Sequence, residues 1–199
     1  MTDDFFNKYV TPHVNLLYCI GGVTLTSFFV QIFCGFSLTF YYILIVKDAF
    51  LSLRFLLMIV RAGWFLRVSH NWTASILITV LFIHVTRVYL TGEFDSPREI
   101  TWFTGVFMSV TITSFGVTGY SLPWDQLGYW ACKIVTGVPD IIPIIGPLVV
   151  TLIRGGISVG QNTLSRFFEL HTFLLPALIT TLFVAHFLLI RARGITGPF

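Results

Sequence analysis

Charge is what this sequence has least of. Only 11% of its 199 residues are Asp, Glu, Lys or Arg, against roughly 25% in a soluble globular domain. So few charges cannot cover a water-facing surface of this size, which excludes the soluble classes. The formal net charge of +3 is small and scattered, without the basic cluster that a nucleic-acid partner would need. Carboxylates are absent from inside the long apolar runs. That removes the mid-depth acidic partners of a proton channel or transporter, and the extra ligands of a zinc or di-iron site. Cysteine is also scarce: Cys19, Cys34 and Cys132 form no CxxC or CxxCH motif. A zinc knuckle, a standard c-type haem motif and a disulfide framework are therefore not indicated. Ten-residue alternation is missing, which excludes a membrane β-barrel. The start is acidic and aromatic (Asp3, Asp4, Phe5, Phe6) rather than the positive opening of a signal peptide. There is no internal repeat.

What is present is hydrophobicity in four uncharged runs: Leu16 to Val46, Val68 to Thr86, Ile100 to Trp124 and Leu170 to Ile190. Each reaches the roughly 20 residues that a spanning helix needs, give or take a snorkelling end such as Arg87. Backbone in lipid must satisfy its own hydrogen bonds, so helices are expected. The fold class is all-α, an integral membrane four-helix bundle in a single domain over 1–199, with spans near 16–42, 68–90, 100–122 and 170–191. A shorter apolar stretch, Ile141 to Ile153, contains Pro143 and Pro147 and reads as interfacial or packed in a loop. The connection 125–169 is the longest, rich in Gly and Pro, and is expected to hold short helices and a function. Four spans put both termini on one face, here the n-side, and the two long loops on the other, the p-side. Five Lys or Arg fall on the n-side and seven on the p-side, so charge bias does not fix the orientation.

Histidine is placed with a pattern. His13 precedes the first span and reads as ordinary loop. The other four lie on the second span (His70, His84) and the fourth (His171, His186), fourteen and fifteen residues apart. At 100° and about 1.5 Å per residue, each pair shares a helix face and is separated by about 21 Å along the axis. The two spans run in the same direction, so His70 meets His171 near the p-side, and His84 meets His186 near the n-side. One imidazole from each helix at a common depth suits two-histidine ligation of a haem iron; the bland alternative is hydrogen-bonded core histidines. The other two spans carry glycines at the same interval, Gly21 and Gly35, then Gly105 and Gly119. They read as room for two macrocycles, against a bland reading of tight helix packing. Arg67, Arg87 and Arg191 stand close to the histidines and are candidates to pair with propionates. Bottom-up, Cys19 reads as a buried small hydrophobe.

Several stretches together carry a family likeness: "PHVNLLYCIGGVTLTSFFVQ", "TITSFGVTGYSLPWDQLGYWACKIVTGVPDIIP", "SVGQNTLSRFFELHTFLLP" and the ending "RARGITGPF". The chain resembles, over nearly its whole length, the cytochrome b6 family of haem-bearing subunits of cytochrome b6f complexes. The resemblance implies two b haems, one held by His70 and His171 and one by His84 and His186. It also implies a single-thioether haem c on Cys19. It implies partners: subunit IV, cytochrome f, the Rieske iron–sulfur protein, small subunits and plastoquinone, in a dimeric complex of a plastid or cyanobacterial thylakoid membrane. The implied activity is electron transfer in plastoquinol oxidation, enzymatic only within the complex, because the family places its PEWY segment on subunit IV. The implied quinol-pocket lining includes Phe115, Gly119, Tyr120, Pro123 and Val135. The chain departs from the family at its short N-terminus, at Asn71 and at "IVRAGW". A diheme b-type cytochrome outside photosynthesis is the alternative, and Cys19 discriminates between them.

Overall fold

The structure is a computed structural model and describes residues 15–194; His13 and the acidic start lie outside them. A 3₁₀ turn at Leu16–Cys19 leads into α1 (Ile20–Thr39). Then come α2 (Ala49–Met58), α3 (Gly63–Leu90) and α4 (Glu99–Ser121). The long loop folds into α5 (Gln126–Gly137), a 3₁₀ turn at Val138–Ile141, α6 (Gly146–Arg154) and α7 (Gln161–Glu169). A π turn at Leu170–Leu174 joins α7 to α8 (Leu175–Arg193).

Four helical stretches are long and apolar enough to cross a membrane: Leu16–Thr39, Gly63–Leu90, Glu99–Ser121 and Gln161–Arg193. Their ends differ from the uncharged runs in instructive ways. The first apolar run continues to Val46, but α1 stops at Thr39, where the hydroxyl turns back and donates to the Phe36 carbonyl. The second helix begins at Gly63 rather than near 68. Arg67 ended the uncharged run but not the helix, because a long cationic side chain reaches past apolar surface.

α1 packs on α3 and α4 packs on α8. Between them lies the buried cluster Phe28, Leu77, Leu81, Met108, Ile112 and Ile179. Each of these residues comes from near the middle of its spanning stretch, so the cluster is an apolar slab at mid-depth. Phe28 links the helices by tilted contact with Phe183, at 5.1 Å between ring centres, and by edge contact with Phe115 at 6.0 Å. The outward faces stay apolar, as with Phe29, Phe33 and Phe36 on α1, which suits lipid rather than water.

The p-side loops form a structured cap. Gln161 of α7 donates to the Leu44 carbonyl at 3.0 Å and accepts from the Val46 N–H at 2.9 Å. Tyr42 donates to the Leu122 carbonyl at 2.6 Å and stacks on Phe168. Burial pushes the Tyr42 phenol well above its usual range, so it remains a donor. Arg154 donates to Thr136 Oγ1 at 2.8 Å and to the Lys133 carbonyl at 3.0 Å. The stretch read as interfacial or loop-packed is thus a short helix, α6, tied to α5 by its terminal arginine.

Candidate functional site

The four span histidines point into the bundle in two levels. The ring centres of His70 and His171 stand 6.4 Å apart, with the planes inclined at 75°. The fifteen-residue interval on the fourth span becomes intelligible at this point. His171 lies in the π turn, which holds one residue more than an α turn. Pro176 supplies the cause: it has no N–H to offer a carbonyl one turn back, so the ladder re-forms from the Leu175 N–H to the Leu170 carbonyl. The extra residue is absorbed locally, and fifteen residues on one helix match fourteen on the other.

Each histidine faces one of the four glycines. A methyl group at Gly21 would lie 3.0 Å from Cε1 of His84, and at Gly35 the same distance from Cε1 of His70. At Gly105 it would lie 3.3 Å from His186, and at Gly119 only 2.5 Å from His171. The sequence suggested room for macrocycles; in this structure the cleared space is taken by the imidazole rings. Phe115 also packs on His171, at 5.4 Å between ring centres and edge-on.

Polar partners fix the rings further. Thr118 Oγ1 lies 3.1 Å from Nδ1 of His171, and Thr104 Oγ1 lies 2.9 Å from Nδ1 of His186. Gln31 donates to the backbone carbonyl of His70 at 2.8 Å. Nδ1 of His70 and Nδ1 of His84 are buried without a hydrogen-bond partner. Sequence reasoning missed Thr104, Thr118 and Gln31. A signal was available for the threonines: the dipeptide Thr-Gly recurs at 104–105 and 118–119, at the histidine interval.

The other expected residues fall as follows. Arg87 pairs with Glu93 and lies over the Tyr18 ring at 4.8 Å, while its Nε is buried without a partner. Arg67, one turn before His70, lies within reach of the charge of Asp125. Arg191 is in the last turn of α8, at the His186 end. Phe115 and Gly119 come together with His171, whereas Tyr120 and Val135 point outward and Pro123 is half-buried just beyond the end of α4. Cys19 corrects the bottom-up reading: it is exposed, whereas Cys34 and Cys132 are buried. The reason is position, since Cys19 ends the 3₁₀ turn before α1 packs on its neighbours. Cys132 is on helix α5 rather than in irregular loop, and burial raises its thiol pKa.

The donor set narrows the chemistry. Among the described residues no three His, Cys, Asp or Glu side chains converge to hold a metal ion. The levels offer two imidazoles each, which suits a metal whose remaining ligands come with it. A metal–imidazole bond is about 2 Å and a ring centre lies about 1.1 Å behind its nitrogen, so two rings bound to opposite sides of one ion would stand about 6.2 Å apart. The 6.4 Å between His70 and His171 matches that separation.

The family model described as cytochrome b/b6/petB matches residues 5–194. The chain belongs to the cytochrome b/b6 family. It is 58% identical over 198 residues to cytochrome b6 of Tupiella akineta, covering all of this chain and 92% of that protein. Cytochrome b6 of Emiliania huxleyi is 56% identical and that of Euglena gracilis 55%, with the same coverage. A chain of a hyperthermophilic respiratory Complex III superposes with a TM-score of 0.85 at 29% identity. The match covers 95% of this chain but 51% of that one, so this chain spans about half the length of that structural relative. The family implies haem b as the bound group and a multi-pass subunit of a cytochrome complex, in keeping with the four apolar spans. The donor pairs, the orphaned Nδ1 atoms and the cleared glycine faces all fit that group.

Proposed function

We propose that this chain is the electron-carrying subunit of a cytochrome b6f-type quinol oxidoreductase. His70 with His171, and His84 with His186, would each hold one b haem. The observation that carries this reading is the 6.4 Å between the rings of His70 and His171. Bound between such rings, a haem supplies one-electron redox chemistry. The chain's own residues do the rest. The four glycines clear the ring faces, Gln31 ties α1 to α3 at His70, and the apolar slab around Ile112 and Ile179 keeps water out between the two levels. Arg67, Arg87 and Arg191 would meet propionate charge near the histidine levels, Arg87 while paired with Glu93. Cys19 is exposed at the His84 end, where a thioether-linked haem c would lie outside the bundle. The quinol pocket would draw on Phe115, Gly119, Tyr120, Pro123 and Val135. Subunit IV, cytochrome f, the Rieske protein and small subunits complete the proposed complex, a dimer oxidising plastoquinol to plastoquinone in a thylakoid membrane. Alone, the chain would not complete quinol oxidation.

A redox-difference spectrum of the purified complex, with haem staining on a denaturing gel, tests this. Two b haems per chain and a stained band that Cys19→Ser abolishes are expected. Two b haems without the stain would leave the diheme cytochrome and remove haem c; no b haem would overturn the proposal.

A further inference from the structure

Thr104 and Thr118 are fourteen residues apart on α4, each one residue before a glycine that faces the same histidine. A threonine hydroxyl has one proton to donate. Thr104 donates it to the Thr101 carbonyl at 2.8 Å. Thr118 donates it to the Ser114 carbonyl at 2.8 Å, with Phe115 at 3.3 Å. Toward the imidazole each hydroxyl can therefore only accept. The carbonyls of Thr101 and Phe115 also face His186 and His171, and a carbonyl only accepts. Nδ1 must then carry the hydrogen in both rings, which leaves the Nε2 lone pair free. The histidines of α3 lack the hydroxyl partner: no threonine meets Nδ1 of His70 or of His84, although the Gln31 carbonyl faces the His70 ring. Each level pairs one imidazole held by a threonine hydroxyl with one that is not.

We propose that Thr104 and Thr118 are positioning residues that lock the tautomers of His186 and His171 and set their strength as iron ligands. The inference rests on the haem reading above. An N–H donated to an acceptor makes the opposite nitrogen a stronger donor, which favours the oxidised metal. Removing the hydroxyl should therefore raise the midpoint potential of the haem at that level and leave the other unchanged.

Redox titration of the intact complex reads this for each b haem. Thr118→Val is expected to raise the midpoint at the His70–His171 level by about fivefold in the reduction equilibrium, the worth of one hydrogen bond, or about 40 mV at 59 mV per decade. Thr104→Val is expected to do the same at the His84–His186 level only. Thr118→Ser keeps the acceptor and should hold the parent midpoint. If Thr118→Val does not assemble, Thr118→Cys, whose sulfur is a weak acceptor, is read with the same criteria. Unchanged midpoints in the valine variants at full haem content, or equal shifts at both levels, would overturn the inference while leaving the haem assignment standing. Absence of b haem from the parent complex would instead sink the function itself.

Discussion

A methyl group added at each of the four glycines should damage the site in an order set by distance. Carbon atoms in ordinary contact stand about 3.5–4.0 Å apart. At Gly119 the new carbon would be 2.5 Å from His171 Cε1, so the ring must retreat by about 1 Å to restore a contact. A metal–ligand distance tolerates about 0.2 Å, and that retreat exceeds it several-fold. Overpacking costs about 1–3 kcal/mol, only partly offset by the roughly 0.5–1 kcal/mol that alanine gains over glycine inside a helix. At Gly105 the separation is 3.3 Å, and a shift of a few tenths of an ångström suffices. Gly22 has nothing within 4 Å and serves as the control. Gly119→Ala should therefore lose the b haem proposed for His70 and His171 while retaining the other. Gly21→Ala and Gly35→Ala should be intermediate, Gly105→Ala mild, and Gly22→Ala silent. The assay is haem content per chain from the pyridine haemochrome, with the surviving haem identified by redox titration. Equal losses at Gly105 and Gly119, or two haems at parental content in Gly119→Ala, would refute the reasoning.

Other consequences are direct. In the haem-free chain in detergent at pH 8, Cys19 should react with a maleimide while Cys132, buried with its thiol pushed up by that burial, stays unlabelled until denaturation; labelling of Cys132 in the folded chain would contradict its placement. Gln31→Leu removes the bond to the His70 carbonyl but also removes a buried unpartnered Oε1. The loss in thermal stability should therefore stay below about 1 kcal/mol, and a loss above about 2 kcal/mol would mean that Gln31 does more than this one bond.

Much of the fold was legible because lipid imposes one solution on apolar backbone. The four spans and the histidine levels follow from run length and helical periodicity alone. The ends of the spans did not, since Arg67 interrupts a charge count without interrupting a helix. The fifteen-residue interval showed that His171 and His186 share a face, but not that a π turn just before Pro176 tunes their register. Thr104 and Thr118 escaped notice because a threonine in an apolar helix ordinarily bonds only its own backbone. Their second role depends on which ring lies opposite. Cys19 was misjudged because composition does not tell whether a helix start is packed.

The apolar slab at mid-depth has an electrical meaning. The two histidine levels are about 21 Å apart along the axis, roughly 0.7 of a hydrocarbon core of about 30 Å. Across a membrane held at 100 mV, one elementary charge carries about 2.3 kcal/mol. A single electron moved from one level to the other therefore does, or draws, about 1.6 kcal/mol of electrical work per 100 mV. Phe28, Leu77, Leu81, Met108, Ile112 and Ile179 fill the middle of the bundle with apolar side chains, so in the proposed two-haem arrangement the membrane voltage would act directly on the exchange between the levels.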